Sequence, residues 1–228
     1  MPTLVLLRHG QSQWNLENRF TGWWDVALTE QGAAEARAAG RMLTDKGYAL
    51  DRCFTSLQTR AIRTLDLVLE EMGTSWLPVT KAWELNERHY GGLTGLNKAE
   101  TVARVGEEQV KIWRRSFDIP PPPLEGGSEY DVGQDRRYAG IAIPLTESLK
   151  MTIERVLPYF ENHIAPALLA DERVIVAAHG NSLRALEKYL SNIADEDIVG
   201  LEIPTGQPIV YELGDDLAVK DRFYLKDR

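Results

Sequence analysis

Two apolar segments of the chain end in a polar His-Gly pair. Residues 4–10 consist of four aliphatic residues followed by Arg-His-Gly, and residues 174–180 consist of five apolar residues followed by His-Gly. An unbroken apolar run of this length predicts a strand that is buried on both faces. In parallel sheets ligands bind beyond the carboxyl ends of the strands. The two segments therefore predict that the imidazoles of His9 and His179 lie together on one edge of a sheet.

Apolar residues at helical spacing predict helices between further strands. Helices are expected to begin after N-caps at Thr29, Ser56, Ser148 and Ser182, and a shorter helix is expected to begin at Pro166. A polar helix is expected from Lys98 through Val105. Short strands are expected at residues 52–55, 77–80 and 208–213, the second at a sheet edge because of its proline. This alternation predicts an α/β fold with a mostly parallel central sheet.

The length of 228 residues suits one domain that spans residues 1–228. A proline run at residues 120–123 is interpreted as a rigid spacer. The weakly patterned segment at about 120–145 is interpreted as an excursion over the surface, because the α/β pattern resumes after it. The charged tail, about 215–228, is expected to be short and mobile towards its end.

Composition narrows the classes of function. The formal net charge of −8 argues against nonspecific binding to nucleic acid. No stretch approaches the ~20 apolar residues of a membrane span, so no membrane partner is expected. Cys53 is the single cysteine and lies in a short apolar run, which predicts a small buried side chain. Its lack of a disulfide partner fits a reducing compartment, and we expect a cytoplasmic protein.

Several polar side chains are candidates for a ligand site. The long loop after Gly10 carries Ser12, Asn15 and Thr21, which either reach a ligand at His9 or make local turn bonds. Arg60 lies in the first turn of a predicted helix, where a cation opposes the helix dipole, so it is expected to serve an anion. A dense group of ionisable and aromatic residues at 85–95 is typical of a site, and the paired arginines at 114–115 suit carboxylate or phosphate.

Several common catalytic and binding motifs are absent from the sequence, so the chemistries that they indicate have no support. The chain lacks the G-x-S-x-G elbow, the H-E-x-x-H zinc motif and the Walker-A loop. The remaining imidazoles and guanidiniums suit phosphoryl transfer through a phosphohistidine. Arg8 and Arg60 would lower the pKa of His9 and hold the phosphate. His179 would donate a hydrogen bond to it. Glu87 would move a proton, unless it is only the structural partner of an arginine.

Five segments of the chain match motifs of a known family. They are RHGQSQWN at 8–15, RFTGW at 19–23, ERHYGGLTGLNK at 87–98, WRRS at 113–116 and HGNS at 179–182. In these segments the chain resembles the histidine phosphatase superfamily, and within it the cofactor-dependent phosphoglycerate mutases. An RHG triplet alone indicates only the superfamily, whereas the block at 87–98 and the paired arginines are far more specific. The resemblance runs from the N-terminus to at least Leu213.

The resemblance implies a three-layer α/β/α fold, a phosphohistidine at His9 and a proton donor and acceptor at Glu87. It also implies that His179, Arg8 and Arg60 stabilise the transferring phosphate. The implied reaction interconverts 3-phosphoglycerate and 2-phosphoglycerate in glycolysis and gluconeogenesis. It would be primed by 2,3-bisphosphoglycerate, would use no metal, and would occur in a homo-oligomer, dimer or tetramer. The substrate-binding residues that it implies, besides Arg8, Arg60 and Glu87, are Gln11, Ser12, Asn15, Thr21, Gly22, Arg88, Tyr90, Lys98, Arg114, Arg115, Gly180 and Asn181.

The chain departs from the family pattern in two respects. Many family members carry Glu at the position of Gln11, and the neutral amide is expected to tune phosphate affinity. The tail is short for a family in which the C-terminal segment helps to close the site.

Two rival functions are a phosphatase and a non-catalytic phosphate-binding protein. A phosphatase of the same superfamily would use water as the second acceptor, but it would not need Lys98 and the pair Arg114-Arg115. A non-catalytic phosphate-binding relative would have lost His9, Arg60, Glu87 or His179, and all four are present.

Overall fold

A computed structural model describes residues 2–228. Its six strands are β1 (Thr3–Arg8), β2 (Arg52–Thr55), β3 (Val79–Lys81), β4 (Arg173–Ala178), β5 (Ile209–Leu213) and β6 (Val219–Tyr224). They form one sheet in the order β3-β2-β4-β1-β5-β6. The first four strands in this order are parallel, and β5 and β6 are antiparallel additions. The mostly parallel sheet predicted from the apolar runs is confirmed.

The helices are α1 (Gln13–Leu16), α2 (Glu30–Asp45), α3 (Thr59–Glu71), α4 (Lys98–Val105), α5 (Glu107–Arg115), α6 (Leu149–Tyr159), α7 (Ala165–Leu169) and α8 (Gly180–Leu190). A π-helical turn, Phe160–Ile164, joins α6 to α7. The predicted polar helix from Lys98 to Val105 is confirmed. The helix expected to begin at Pro166 instead continues α6 through this turn, with Pro166 tolerated in the first turn of α7.

Side chains alternate between the two faces of the sheet and produce two apolar cores. Leu4, Leu6 and Val176 pack with residues of α6, α7 and α8 on one face. Val5, Leu7 and Cys53 pack with residues of α2 and α3 on the other. This alternation is what a strand covered on both faces requires. The three-layer α/β/α arrangement is confirmed, and Cys53 is buried as expected, which raises the pKa of its thiol to about 12.

The C-terminal segment differs from the expected mobile tail. β6 pairs with β5 in antiparallel register from Ile209 opposite Tyr224. Leu225, in a short 3₁₀ turn after β6, is 1% exposed and belongs to the core that faces α2 and α3. Strand pairing therefore extends into the tail, because its charges alternate with apolar residues that the sheet edge can bury, while mobility of the last residues stays a prediction.

Two of the four predicted N-caps are confirmed. The side chains of Thr29 and Ser148 accept hydrogen bonds from the backbone of the first turns of α2 and α6. Ser56 does not cap α3, which begins after Gln58 without a side-chain cap. Ser182 lies inside α8, whose N-cap position is His179. Ser56 instead contacts the ring of His179, and the Ser182 hydroxyl accepts a hydrogen bond from the His179 amide at 3.1 Å.

Gly10 allows a close backbone approach, although not to a ligand. A Cβ at Gly10 would lie 2.1 Å from the carbonyl oxygen of Gly32, and a Cβ at Gly32 would lie 2.0 Å from that of Gln11. The first turn of α2 therefore packs directly on the end of β1. Glycine at both positions is required by this contact.

Candidate active site

The carboxyl ends of β1 and β4 bring the two predicted imidazoles together. Arg8 lies opposite Ala178 in the parallel ladder, and the His9 amide donates to the Ala178 carbonyl at 3.0 Å. The rings of His9 and His179 follow these neighbouring strand ends, with centroids 5.0 Å apart. Both side chains are almost completely buried. The predicted juxtaposition of two strand-end histidines is confirmed.

His9 is held as a neutral imidazole with one defined tautomer. Burial, and then the positive charges of Arg60 and Arg8, hold the pKa of His9 well below its usual range. The sequence predicted the effect of the arginines but not that burial would be the larger cause. Nδ1 lies 2.7 Å from the Gly10 carbonyl oxygen. A carbonyl only accepts, so we assign the proton to Nδ1, which leaves the lone pair on Nε2.

His179 has one ring nitrogen engaged and one without a protein partner. Its Nε2 lies 2.8 Å from the Ser56 hydroxyl, which also accepts a hydrogen bond from the Gln58 amide. Burial, Arg60 and His9 hold the pKa of His179 well below its usual range. Nδ1 is buried and has no partner among residues 2–228. We assign the Ser56 hydroxyl as the donor to Nε2, which places the proton on Nδ1 and makes Nδ1 a buried donor.

Two arginines with different surroundings lie beside the histidines. Arg60 is 1% exposed and donates to the Gly22 carbonyl at 2.9 Å and the Trp24 carbonyl at 3.1 Å. Burial lowers the pKa of Arg60 to about 10. Arg8 donates through Nη1 to the Ile203 carbonyl at 2.7 Å, while its buried Nε has no partner among the described residues. A buried guanidinium held only by neutral carbonyls retains its charge for an anion.

Glu87 presents one carboxylate oxygen to the site. Its Oε1 accepts hydrogen bonds from the Arg88 amide at 2.7 Å and from the backbone and side-chain nitrogens of Asn181 at 3.1 and 3.0 Å. A Cβ at Gly180 would lie 3.6 Å from both Glu87 Oε2 and Arg8 Cζ. The side of Gly180 that would carry a side chain therefore faces both the carboxylate and the guanidinium, and a large residue there would fill the space beside them.

Two cavities meet at these side chains. We call the first, of about 50 Å³, the inner cavity; it is lined by Arg8, His9, Asn15, Arg19, Phe20, Thr21, Gly22, Arg60, Glu87, Tyr90 and Lys98. We call the second, of about 250 Å³, the outer cavity; it is lined by Arg8, Glu87, Tyr90, Lys98, Arg114, Arg115, Gly180, Asn181, Arg184, Leu201, Glu202 and Ile203. Four side chains are common to both, so the two are continuous.

The cavities are strongly basic in a protein of net charge −8. Seven basic side chains line them, against the carboxylates of Glu87 and Glu202. Burial also lowers the pKa of Lys98. In the outer cavity Arg115 forms an ion pair with Glu202, which is 72% exposed on its side chain. The balance of charge and the unpaired donors of Arg8 and His179 suit a small, highly charged anion.

Three predicted substrate-binding residues do not line either cavity. Ser12 caps α1 by accepting a hydrogen bond from the Asn15 amide, and the Gln11 side chain accepts one from the Thr29 hydroxyl at 2.9 Å. Arg88 is fully buried and donates to the carbonyls of residues 113 and 114. The Ser12 and Gln11 side chains bond to protein groups, whereas Nε and Nη1 of Arg88 have no partner among residues 2–228, so the binding roles of these three residues stay predictions.

Other parts of the site were missed from the sequence. Ser56 was interpreted as a cap and in fact contacts His179. Arg184 and the segment 201–203 complete the outer cavity. For Arg184 a signal existed: it follows Gly180 by four residues on a helix and therefore lies on the same face. The segment 201–203 had no local signal, since its role depends on where the chain folds back.

Two searches for other features complete the description. Among residues 2–228 no group of three or more His, Cys, Asp or Glu side chains is arranged to hold a metal ion. Within the same residues no helix has both the length and the apolar character that crossing a bilayer demands.

Comparisons with known proteins agree with the site. Residues 4–224 match the model of the histidine phosphatase superfamily (branch 1). Proteins named 2,3-bisphosphoglycerate-dependent phosphoglycerate mutase from Sphingopyxis alaskensis, Novosphingobium aromaticivorans and Zymomonas mobilis are 71%, 70% and 66% identical to the chain, with full coverage of both sequences.

Solved structures share the fold at much lower identity. A mycobacterial glucosyl-3-phosphoglycerate phosphatase superimposes with a TM-score of 0.75 at 22% identity, covering 98% of this chain and 97% of its own. An alpha-ribazole phosphatase from Shigella flexneri superimposes with a TM-score of 0.68 at 21% identity, covering 95% and 93%. At such identities the likeness concerns the fold alone.

Proposed function

The chain belongs to the 2,3-bisphosphoglycerate-dependent phosphoglycerate mutases of the histidine phosphatase superfamily, and from this premise we propose that it interconverts 3-phosphoglycerate and 2-phosphoglycerate in glycolysis and gluconeogenesis. One observation carries the proposal most directly. The neutral His9 imidazole, with Nε2 free, lies 5.0 Å from a second imidazole and beside the guanidiniums of Arg60 and Arg8, which bond to main-chain carbonyls. This is an environment for a nucleophile that accepts a phosphoryl group.

His9 acts as the phosphoryl carrier. In one half-reaction a substrate hydroxyl attacks the phosphorus on His9 Nε2, the N–P bond breaks, and the hydroxyl proton passes to Glu87. In the other, Nε2 attacks the second phosphate, a new N–P bond forms, the O–P bond breaks, and Glu87 returns the proton to the leaving oxygen. The sum moves a phosphate between two oxygens of a three-carbon acid and regenerates phospho-His9.

The charges around His9 lower the barrier of both half-reactions. Arg60 and Arg8 would hold the equatorial oxygens of the transferring phosphoryl group, and His179 Nδ1 would donate a hydrogen bond to it. Asn15, Thr21 and Gly22 line the inner cavity and would surround the same group. Because these donors are fixed before the ligand arrives, little reorganisation is needed in the transition state.

The outer cavity would bind the rest of the substrate. Arg114, Arg115 and Lys98 supply cations for the carboxylate and the second phosphate, with Tyr90, Gly180 and Asn181 beside them. The unpaired donors Arg8 Nε and His179 Nδ1 fit a phosphate group as well. When bound, 2,3-bisphosphoglycerate supplies the phosphate that primes His9, and the residues of both cavities would hold it.

Assembly, compartment and domain organisation stay predictions. We propose one domain over residues 1–228, a homo-oligomer, either dimer or tetramer, and a cytoplasmic enzyme that uses no metal. Light scattering of the purified protein tests the assembly. Full activity after dialysis against EDTA is the expected result for metal independence, and strong inhibition by the chelator would contradict it.

Labelling tests the proposed function. We expect incubation with ³²P-labelled 2,3-bisphosphoglycerate to leave acid-labile, alkali-stable phosphate on His9. His9→Ala should abolish this label and lower mutase activity by about 10⁴-fold or more, with a circular-dichroism spectrum and melting temperature close to those of the wild type. Full mutase activity in His9→Ala would refute the mechanism. Release of inorganic phosphate faster than formation of 2-phosphoglycerate would identify the protein as a phosphatase.

A further inference from the structure

Arg184 is a buried cation of the outer cavity to which the mechanism above gives no role. It lies in the second turn of α8 and is 4% exposed. Among residues 2–228 no carboxylate forms an ion pair with it. Burial, and then the charges of Arg115 and Arg88, lower the pKa of Arg184 to about 10. A buried charge without a counter-ion is costly, so its retention calls for a reason in its contacts.

One arm of the Arg184 guanidinium fixes a side-chain amide. Nη1 donates to Asn181 Oδ1 at 3.0 Å. Because a guanidinium can only donate, the oxygen of Asn181 must face Arg184 and its Nδ2 must face the other way. That Nδ2 donates to Glu87 Oε1 at 3.0 Å. Arg184 thus fixes the orientation of the Asn181 amide, which supplies the side-chain donor to Glu87 Oε1 beside the main-chain amides of Arg88 and Asn181.

The other arm holds the wall of the outer cavity. Nη2 donates to the Ile198 carbonyl oxygen. The chain leads from there to Ile203, whose carbonyl accepts the hydrogen bond from Arg8 Nη1 at 2.7 Å. One planar group therefore links the segment that anchors Arg8 with the amide that orients Glu87. A lysine could keep the charge but could not span both acceptors with the same fixed geometry.

We propose that Arg184 is a positioning residue that locks the Asn181 amide and so aims Glu87 Oε2 at the oxygen that gains or loses a proton. The proposal rests on the proposed function, since it assigns Arg184 to the proton-transfer step of that reaction. Without Arg184 the Asn181 oxygen loses its donor, and the amide is held through Nδ2 alone, by Glu87 and the Tyr90 hydroxyl. Its side-chain bond to Glu87 Oε1 then weakens, and the rotation of the carboxylate depends on the two main-chain amides.

The test varies the leaving group during phosphorylation of His9. With 2,3-bisphosphoglycerate the leaving alkoxide needs a proton from Glu87, whereas with acetyl phosphate the leaving acetate is a weak base and needs none. In Arg184→Lys we expect labelling by 2,3-bisphosphoglycerate and kcat of the mutase to fall by about ten- to a hundredfold. Labelling by acetyl phosphate and the KM for 3-phosphoglycerate should change less than about threefold.

Two further variants supply a control and test whether Arg184 and Asn181 act together. Arg222 pairs with Glu187, which lies on α8 away from Asn181. In Arg222→Lys both 2,3-bisphosphoglycerate and acetyl phosphate should label His9 as in the wild type. In an Asn181→Ala background, Arg184→Lys should have almost no additional effect, since both residues act in series.

Three results would overturn the proposal: equal slowing with both donors, a rise in KM without loss of kcat, or additive effects in the double variant. Failure of the proposed function is separately visible, because wild-type protein would then form no 2-phosphoglycerate at all. A wild-type enzyme that is active while Arg184→Lys shows no dependence on the leaving group would refute only the role of Arg184.

Discussion

The inner and outer cavities are adjacent, but their side chains are held in different ways. In the inner cavity His9, Arg60 and Arg8 bond to main-chain carbonyls at strand and loop ends. In the outer cavity Arg115 pairs with the exposed carboxylate of Glu202. Backbone carbonyls cannot move without the fold, whereas an exposed carboxylate can be displaced. The difference indicates that the inner cavity is preorganised for chemistry and that the outer cavity adapts to bind the substrate.

The largest effect is expected at Arg60. Arg60→Met removes the cation but keeps much of the apolar volume of its stem, and we expect kcat to fall by about 10²–10³-fold. The free energy of unfolding should change by no more than about 2 kcal/mol, because relief of a buried charge offsets the two lost hydrogen bonds. Steady-state kinetics and urea unfolding measure both quantities. Near-normal kcat would break the distinction between the two cavities.

Burial of His9 and His179 makes the stability of the fold sensitive to acid. The pKa values of His9 and His179 lie well below 6.5 in the folded chain, so below that pH the unfolded state binds more protons. Stability is therefore complete above pH 6.5 and is lost as pH falls below it, by about 1.4 kcal/mol per histidine and pH unit. Urea unfolding at pH 7.5 and 5.5 measures this loss. An unchanged midpoint at pH 5.5 would contradict neutral burial.

Arg115 tests the outer cavity. Arg115→Ala should raise the KM for 3-phosphoglycerate by about 10- to 100-fold, the value of one lost charged hydrogen bond. Phosphorylation of His9 by acetyl phosphate should remain close to the wild-type rate, because this donor is small enough to use the inner cavity alone. If substrate binding and the phosphorylation of His9 by acetyl phosphate were weakened to the same extent, the two cavities would not have separate roles.

The smallest effect is expected at Glu202. Glu202→Gln removes the counter-ion of Arg115 at the rim, so the KM for 3-phosphoglycerate should fall by about two- to fivefold, within the range for exposed ion pairs. The dependence of KM on salt should change as well. In the wild type, salt screens the attraction between Arg115 and Glu202, and in the variant this attraction is absent. If KM rises instead, Glu202 aligns Arg115 for the substrate and does not compete with it.

The predictability of each part of the site follows from how local its cause is. His9, His179 and Arg60 were found because the aliphatic runs and the helix start place them by their own neighbouring sequence. For Gln11, Ser12 and Arg88 the motif does not distinguish residues that support the site from residues that line it, so their roles stay predictions. In the structure all three are bonded to protein groups.

What the sequence did not reveal depends on distant contacts. Ser56 pairs with a residue 123 positions away, and the Ile203 carbonyl reaches Arg8 across 195 positions. A hydroxyl before a helix looks like a cap in either case. The same limit applies to the C-terminal tail, whose order comes from pairing of β6 with β5 and not from its own composition.

The glycine contact between β1 and α2 has a consequence for redesigning this protein. Residues 10–12 and 29–32 are in contact, so the intervening stretch is a loop whose two ends are held together. A residue inserted near the exposed Leu16 should lengthen this loop without disturbing the contact between its two ends. Libraries that vary ligand preference can therefore begin at exposed positions such as Leu16, provided that the two glycines and the residues that line the inner cavity are kept.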